Sequence, residues 1–111
     1  MRRRTFLVVR GNDKDFTVKL TIGGVPINIE HIDIACEVKD APGGNLLFTA
    51  IVTKTDPLNG TFRVRFPKEM TATLGPNSRV YFDFMLTFPD GTVKNYPAPP
   101  YEALVIERVT D

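Results

Sequence analysis

At 111 residues, with a 42% apolar fraction, the chain is the size of one ordinary domain and carries enough apolar material for a single core, which argues against disorder. Fourteen Lys/Arg against thirteen Asp/Glu leave a net charge of +1, so no strong general pull toward nucleic acid or an anionic membrane is expected. One cysteine, Cys36, excludes an internal disulfide; packing alone must hold the fold, which fits assembly in a reducing cytosol.

The chain begins with Arg2-Arg3-Arg4, read as a flexible basic arm over residues 1–4. The few apolar residues before Arg10 are too short a run for a signal-peptide core or a membrane span. Thr5–Val9 is a short β-prone run that ends at the turn signal Arg10-Gly11-Asn12-Asp13. Phe16, Val18, Leu20 and Ile22 alternate with polar residues, which predicts a half-buried strand, and Gly23-Gly24 predicts a hairpin turn. Pro26 cannot donate to a ladder, so Val25–Ile29 belongs at an edge or a sheet crossing. Ile32, Ile34, Cys36 and Val38 alternate in the next strand, and residues 40–45 form a loop.

Leu46–Thr53 is apolar at nearly every position, so two registers compete; the one that buries Leu46, Phe48, Ala50 and Val52 is preferred because its other face carries Thr49 and Thr53. Residues 55–60 are a turn, and Phe62, Val64 and Phe66 alternate in the strand beyond it. Residues 67–74 predict one short helical connector, with proline at its start and Gly75 at its exit. Arg79–Phe88 is the dominant strand: Val80, Phe82, Phe84, Leu86 and Phe88 take every second position and line one face, while Arg79, Tyr81, Asp83, Met85 and Thr87 line the other. Pro89-Asp90-Gly91 is a hairpin signal, Thr92–Tyr96 returns antiparallel, the prolines of residues 97–100 break pairing, and Leu104–Val109 is the last strand.

About seven or eight short strands with regular turn signals predict an all-β fold, one antiparallel β-sandwich over residues 1–111. A sandwich is favoured over a barrel because Pro26 and the Pro97–Pro100 stretch read as strands that change sheets.

Several of these features fall in one order across nearly the whole chain. Arg10-Gly11-Asn12-Asp13 precedes an alternating strand, Gly24–Ile29 precedes a second, and Thr55-Asp56-Pro57-Leu58-Asn59-Gly60 a third. The short turn at residues 67–74 then leads to Tyr81-Phe82-Asp83-Phe84 and Pro89-Asp90-Gly91-Thr92. This order resembles the immunoglobulin-like domain of phage baseplate upper proteins and related tail structural proteins; the Arg2-Arg3-Arg4 start is a departure from that pattern. The resemblance implies an immunoglobulin-like sandwich that serves in a virion, assembled in the host cytoplasm, as a non-enzymatic adaptor. Its implied partners are other virion structural proteins and copies of itself, with no nucleic acid, membrane or cofactor.

His31 is the only histidine, so a triad or a histidine metal site lacks members. Cys36 alternates with Ile34 and Val38 and reads as a buried structural thiol, since a nucleophile needs a base beside it. Asn12, Asp13 and Asp15 offer oxygens, but without EF-hand spacing they read as a solvated turn. Gly23-Gly24 and Gly43-Gly44 lack the lysine and helix of a phosphate loop. Arg63 and Arg65 share one strand face, which Lys54, Lys68 or Lys94 would extend, and read as a solvated surface.

No acid–base pair is identifiable, so catalysis is not expected, nor is a metal. The candidate partner interface is Tyr81 and Met85 on the outer side of the dominant strand, together with Arg2, Arg3 and Arg4. The competing possibility is that residues 96–101 cover Tyr81 and Met85. An alternative function is a carbohydrate- or receptor-binding sandwich module, for which Tyr96 and Tyr101 are the candidate aromatics.

Overall fold

A computed structural model describes residues 6–107, except the side chains of residues 98 and 99. Ten strands occur among them: β1 (Phe6–Val9), β2 (Lys14–Lys19), β3 (Thr21–Ile22), β4 (Val25–Pro26), β5 (Asp33–Lys39), β6 (Leu46–Thr49), β7 (Ile51–Asp56), β8 (Thr61–Phe66), β9 (Arg79–Thr87) and β10 (Val93–Ile106). One sheet has the order β1-β10-β9-β5-β6, the other β2-β8-β7, and β3-β4 is a separate two-stranded ribbon. The eight strands of the two main sheets match the count expected from the sequence. Pairing is antiparallel except where β1 runs parallel to β10, with Phe6 opposite Ala103. Three strands facing a larger sheet, in this connectivity, is the order of an immunoglobulin-type sandwich.

β9 is the middle strand of its sheet, as its period predicts. Val80, Phe82, Phe84 and Leu86 are buried on the inner face, and Phe88 packs against the core just past the strand end. From the facing sheet come Val18, Phe62, Val64 and Phe66, with Phe16 between Phe66 and Phe82. Phe62 meets Phe84 edge-on at 5.1 Å between ring centres, and Phe66 meets Phe82 at 5.3 Å. In antibody domains the strands equivalent to β2 and β9 are joined by a disulfide. Here Phe16 and Phe82, 5.6 Å apart, make that connection by packing.

Several local expectations are corrected. The strand beginning at β2 does not run on to Ile22. Leu20 is buried, and its N–H and carbonyl bond Gly60 and Ile27; the chain then leaves as the β3–β4 ribbon, with Ile22 71% exposed. Val25–Ile29 is a strand only over Val25–Pro26, and Ile29 is buried as part of the return. The chain does change sheets across the segment that carries Pro26, between β2 and β5, and it changes again at Ala50, whose N–H bonds the Cys36 carbonyl between β6 and β7; residues 97–100 do not change sheet but stay within β10. Phe48 and Ala50 are buried and Val52 packs on the core, as preferred; Leu46 lies exposed at the free edge of β6. Finally, the predicted last two strands are one, β10. Tyr96 pairs with Phe84 and Tyr101 with Phe82, so five steps on β10 answer two on β9 and the prolines form a bulge.

The helical connector is a single turn, α1 (Lys68–Thr71). The turn after β1 docks on it. The Thr71 hydroxyl, fully buried, donates to the Asn12 carbonyl at 2.8 Å and accepts from the Gly11 N–H at 3.1 Å. Asp13 accepts the Lys68 N–H at 2.7 Å, capping α1 from outside.

Candidate docking face

The antiparallel register of β5 on β9 sets opposite one another the residues that point away from the core: Ala35 and Met85, Glu37 and Asp83, Lys39 and Tyr81. β10 adds Asn95 opposite Met85 and Glu102 opposite Tyr81. The outer face of the five-stranded sheet is therefore a small mosaic of apolar, acidic and basic side chains. Its centre is a shallow cleft of about 100 Å³, walled by Tyr81, Met85, Pro100 and the Ala41-Pro42-Gly43 loop, with Ala35 in its floor.

Tyr81 is half-buried and Met85 is 43% exposed. Among the described side chains of residues 96–101, Pro100 lines the cleft, and Met85 remains exposed. Arg2, Arg3 and Arg4, the other members of the predicted interface, lie outside the described residues.

The polar groups of this face are unevenly paired. Arg79 forms an ion pair with Glu102. Lys39 Nζ stands 3.9 Å from Glu37 Oε1, the outer limit of an ion pair. Asp83 accepts a hydrogen bond from the Asn95 amide at 3.2 Å, and no ion pair with a lysine or arginine among the described residues reaches it. Cross-strand neighbours have Cβ atoms about 5 Å apart, and like charges placed so are unfavourable. Directly beneath, on the core side of β5, Cys36 is buried; burial, then the nearby Asp83 and Glu37 carboxylates, push its thiol up to about 12.

The remaining sequence candidates take other places. Asp15 is held by Arg65 through two hydrogen bonds, at 2.8 and 3.2 Å, and Asp13 by the α1 backbone. No group of three or more metal-ligating side chains occurs among the described residues. Arg63 and Arg65 do share the outer face of the small sheet. Lys54 turns away to the Glu30 carbonyl, Lys68 sits on α1 and Lys94 on the other sheet, so none extends the pair. His31 is exposed beside Glu30, 3.4 Å away. Tyr96 and Tyr101 come together with Phe6, Phe16 and Lys19 in a groove of about 300 Å³ at the open side of the sandwich. Tyr101 is partly buried against the core, meeting the Phe6 ring edge-on and the Phe82 ring at a tilt, both 5.3 Å away.

Sequence reasoning missed Glu37, Asn95, Pro100 and the residue 41–43 loop as parts of the outer face. The available signal was parity: residues 33–39 alternate as residues 79–87 do, so each strand has an outward set. No family model and no curated protein matches this chain.

Proposed function

We propose that the chain is a non-enzymatic structural adaptor of a phage virion, in the tail, baseplate or neck, acting through protein–protein contacts on the outer face of the five-stranded sheet. The observation that carries the docking part is the open cleft at Tyr81 and Met85. Tyrosine and methionine are enriched in interface cores, and here they stand exposed or half-exposed on a rigid central strand instead of on a loop. The virion part rests on the order of turns and strands that resembles the immunoglobulin-like domain of baseplate upper proteins. An immunoglobulin-type strand order supports that resemblance at the level of fold.

The partners would be other virion proteins and further copies of this chain, repeated about a particle axis. Co-expression with candidate tail and baseplate proteins from the same genome tests the proposal. Wild type should form a stable complex, and Tyr81→Ala and Met85→Ala should weaken it while the monomer stays folded. Variants that assemble as wild type does would remove the docking face from the argument. Metabolic genes on both sides of the coding sequence would count against a virion.

A second reading, a carbohydrate- or receptor-binding module, is favoured by the groove that brings Tyr96 beside Phe6, Phe16 and Lys19. Aromatic faces beside polar groups suit a sugar ring. A glycan array decides it, with Tyr96→Ala as the control.

A further inference from the structure

We propose that the cleft on the outer sheet face is shaped for a guanidinium group, so that the partner segment docking there is an extended stretch presenting an arginine between apolar residues. This rests on the docking role proposed above and names the chemistry of what docks. The argument is one of charge complementarity on an unpartnered face. Glu37 and Asp83 are cross-strand partners in the β5–β9 register, an arrangement that opposes like charges. The cations of the same face do not resolve it. Arg79 is taken by Glu102, and Lys39 leans only toward Glu37, at 3.9 Å. Asp83 is left with a neutral donor, Asn95.

The apolar rim fits the same ligand. Tyr81 offers a ring face and Met85 a polarizable thioether, with Pro42 and Pro100 at either side. Arginine stacks on aromatic faces and is more weakly hydrated than an ammonium group. Its planar fork can reach two acceptors at once, here carboxylates about one strand spacing apart. The cleft volume of about 100 Å³ gives room for a side-chain head group. The negative field is felt through the sheet: after burial, Asp83 and Glu37 are what raise the Cys36 thiol.

The test uses the full chain with isotope-labelled methionine methyls, titrated with the peptide acetyl-Gly-Leu-Arg-Leu-Gly-amide. Two analogues carry citrulline or glutamate in place of arginine. The arginine peptide should shift the Met85 methyl and the Tyr81 and Asp83 amides. Citrulline, the neutral isostere, should bind about fivefold more weakly, as expected for losing one half-exposed ion pair. The glutamate peptide should not bind, and added salt should weaken only the arginine peptide. Asp83→Asn should lose about the same factor while its melting temperature stays level or rises, because it relieves the opposition to Glu37.

Equal binding of the arginine and citrulline peptides, shifts confined to other faces, or a large loss of stability in Asp83→Asn would overturn the proposal. If Tyr81→Ala and Met85→Ala still abolish assembly with virion proteins in that event, the docking face stands and only its preference for a cation falls.

Discussion

Phe82 is the ring on which the two sheets close, so its truncation is the sharpest test of the packing described here. It is 2% exposed and touches five other rings: Phe6, Phe16, Phe66, Phe84 and Tyr101, with centre distances from 5.3 to 6.2 Å. Removal of a buried phenylalanine to alanine costs about 3–5 kcal/mol, and the cost rises when neighbours cannot collapse into the gap. Here they are held by four different strands, β1, β2, β8 and β10, besides β9 itself, so the upper half of that range, about 4–5 kcal/mol, is expected for Phe82→Ala. With an unfolding entropy of about 2.1 cal/mol/K per residue, 111 residues give about 0.23 kcal/mol/K, so 4 kcal/mol corresponds to a melting point lower by about 17 °C. Phe84, with three ring neighbours, should lose less, about 3 kcal/mol on alanine substitution. Met85→Ala, on the same strand but facing out, should stay within about 1 kcal/mol of wild type. Urea unfolding followed by tyrosine fluorescence measures all three. Should Phe82→Ala be too unstable to purify, Phe82→Leu, expected to cost about 1.5 kcal/mol, keeps the comparison measurable. A loss for Phe82→Ala no greater than that for Met85→Ala would refute the assignment of Phe82 as the joint between the sheets.

Other substitutions probe the turns and the charges. Gly60 has φ +70° and an added Cβ would lie 2.6 Å from the Leu20 carbonyl and 2.7 Å from that of Ile27, so Gly60→Ala should cost more than about 2 kcal/mol in the same assay. Thr71→Val keeps the volume but strips partners from the Gly11 N–H and the Asn12 carbonyl, which should cost about 1–3 kcal/mol. Cys36 should be inert to a thiol reagent at pH 8 until the protein unfolds. Its folded pKa is raised, so the unfolded chain loses its thiol proton first and stability should decline as pH rises from about 9 toward 12; Cys36→Ala should remove that part of the alkaline slope. The Arg65 hydrogen bonds hold the Asp15 carboxyl below its ordinary range, so its contribution is present above that range and is lost as pH falls through the lowered value. In Arg65→Met the acid limb of the stability curve should flatten slightly, and the effect should vanish in high salt because the pair is exposed.

The parts of the fold legible in the sequence were those where one face of a strand meets the core and the other meets water. β9, β8 and β5 have that form, and a period of two suffices to read them. Leu46–Val52 does not. Its strands sit at the free edges of two different sheets, where Leu46, Leu47 and Ile51 remain exposed, so apolar character on both sides hid the crossing at Ala50. Ile22 misled for the opposite reason. Its alternation continues past Leu20 although the backbone partners change there from β8 to the ribbon, a long-range event with no local sign.

The candidate face was half legible, and the missing half explains its form. Alternation alone puts Tyr81, Asp83 and Met85 outward, but whether an outward row is a cleft depends on what stands beside it. That was decided by a feature read correctly in kind and wrongly in consequence. The prolines of residues 97–100 do interrupt pairing, yet the chain neither leaves the sheet nor folds over it; three extra residues bulge out between Tyr96 and Tyr101 and both flanks stay on β9. The bulge has two structural consequences at once. Tyr101 beyond it meets the Phe6 and Phe82 rings, and Pro100 joins Tyr81 and the Ala41-Pro42-Gly43 loop in lining the cleft. A regular strand in its place would pair flat along β9 and leave an open acidic sheet face. With the bulge, the same carboxylates line one depression together with Pro100; Glu37 keeps 49% of its side chain exposed, so charge pairing there stays screened by water and sensitive to salt.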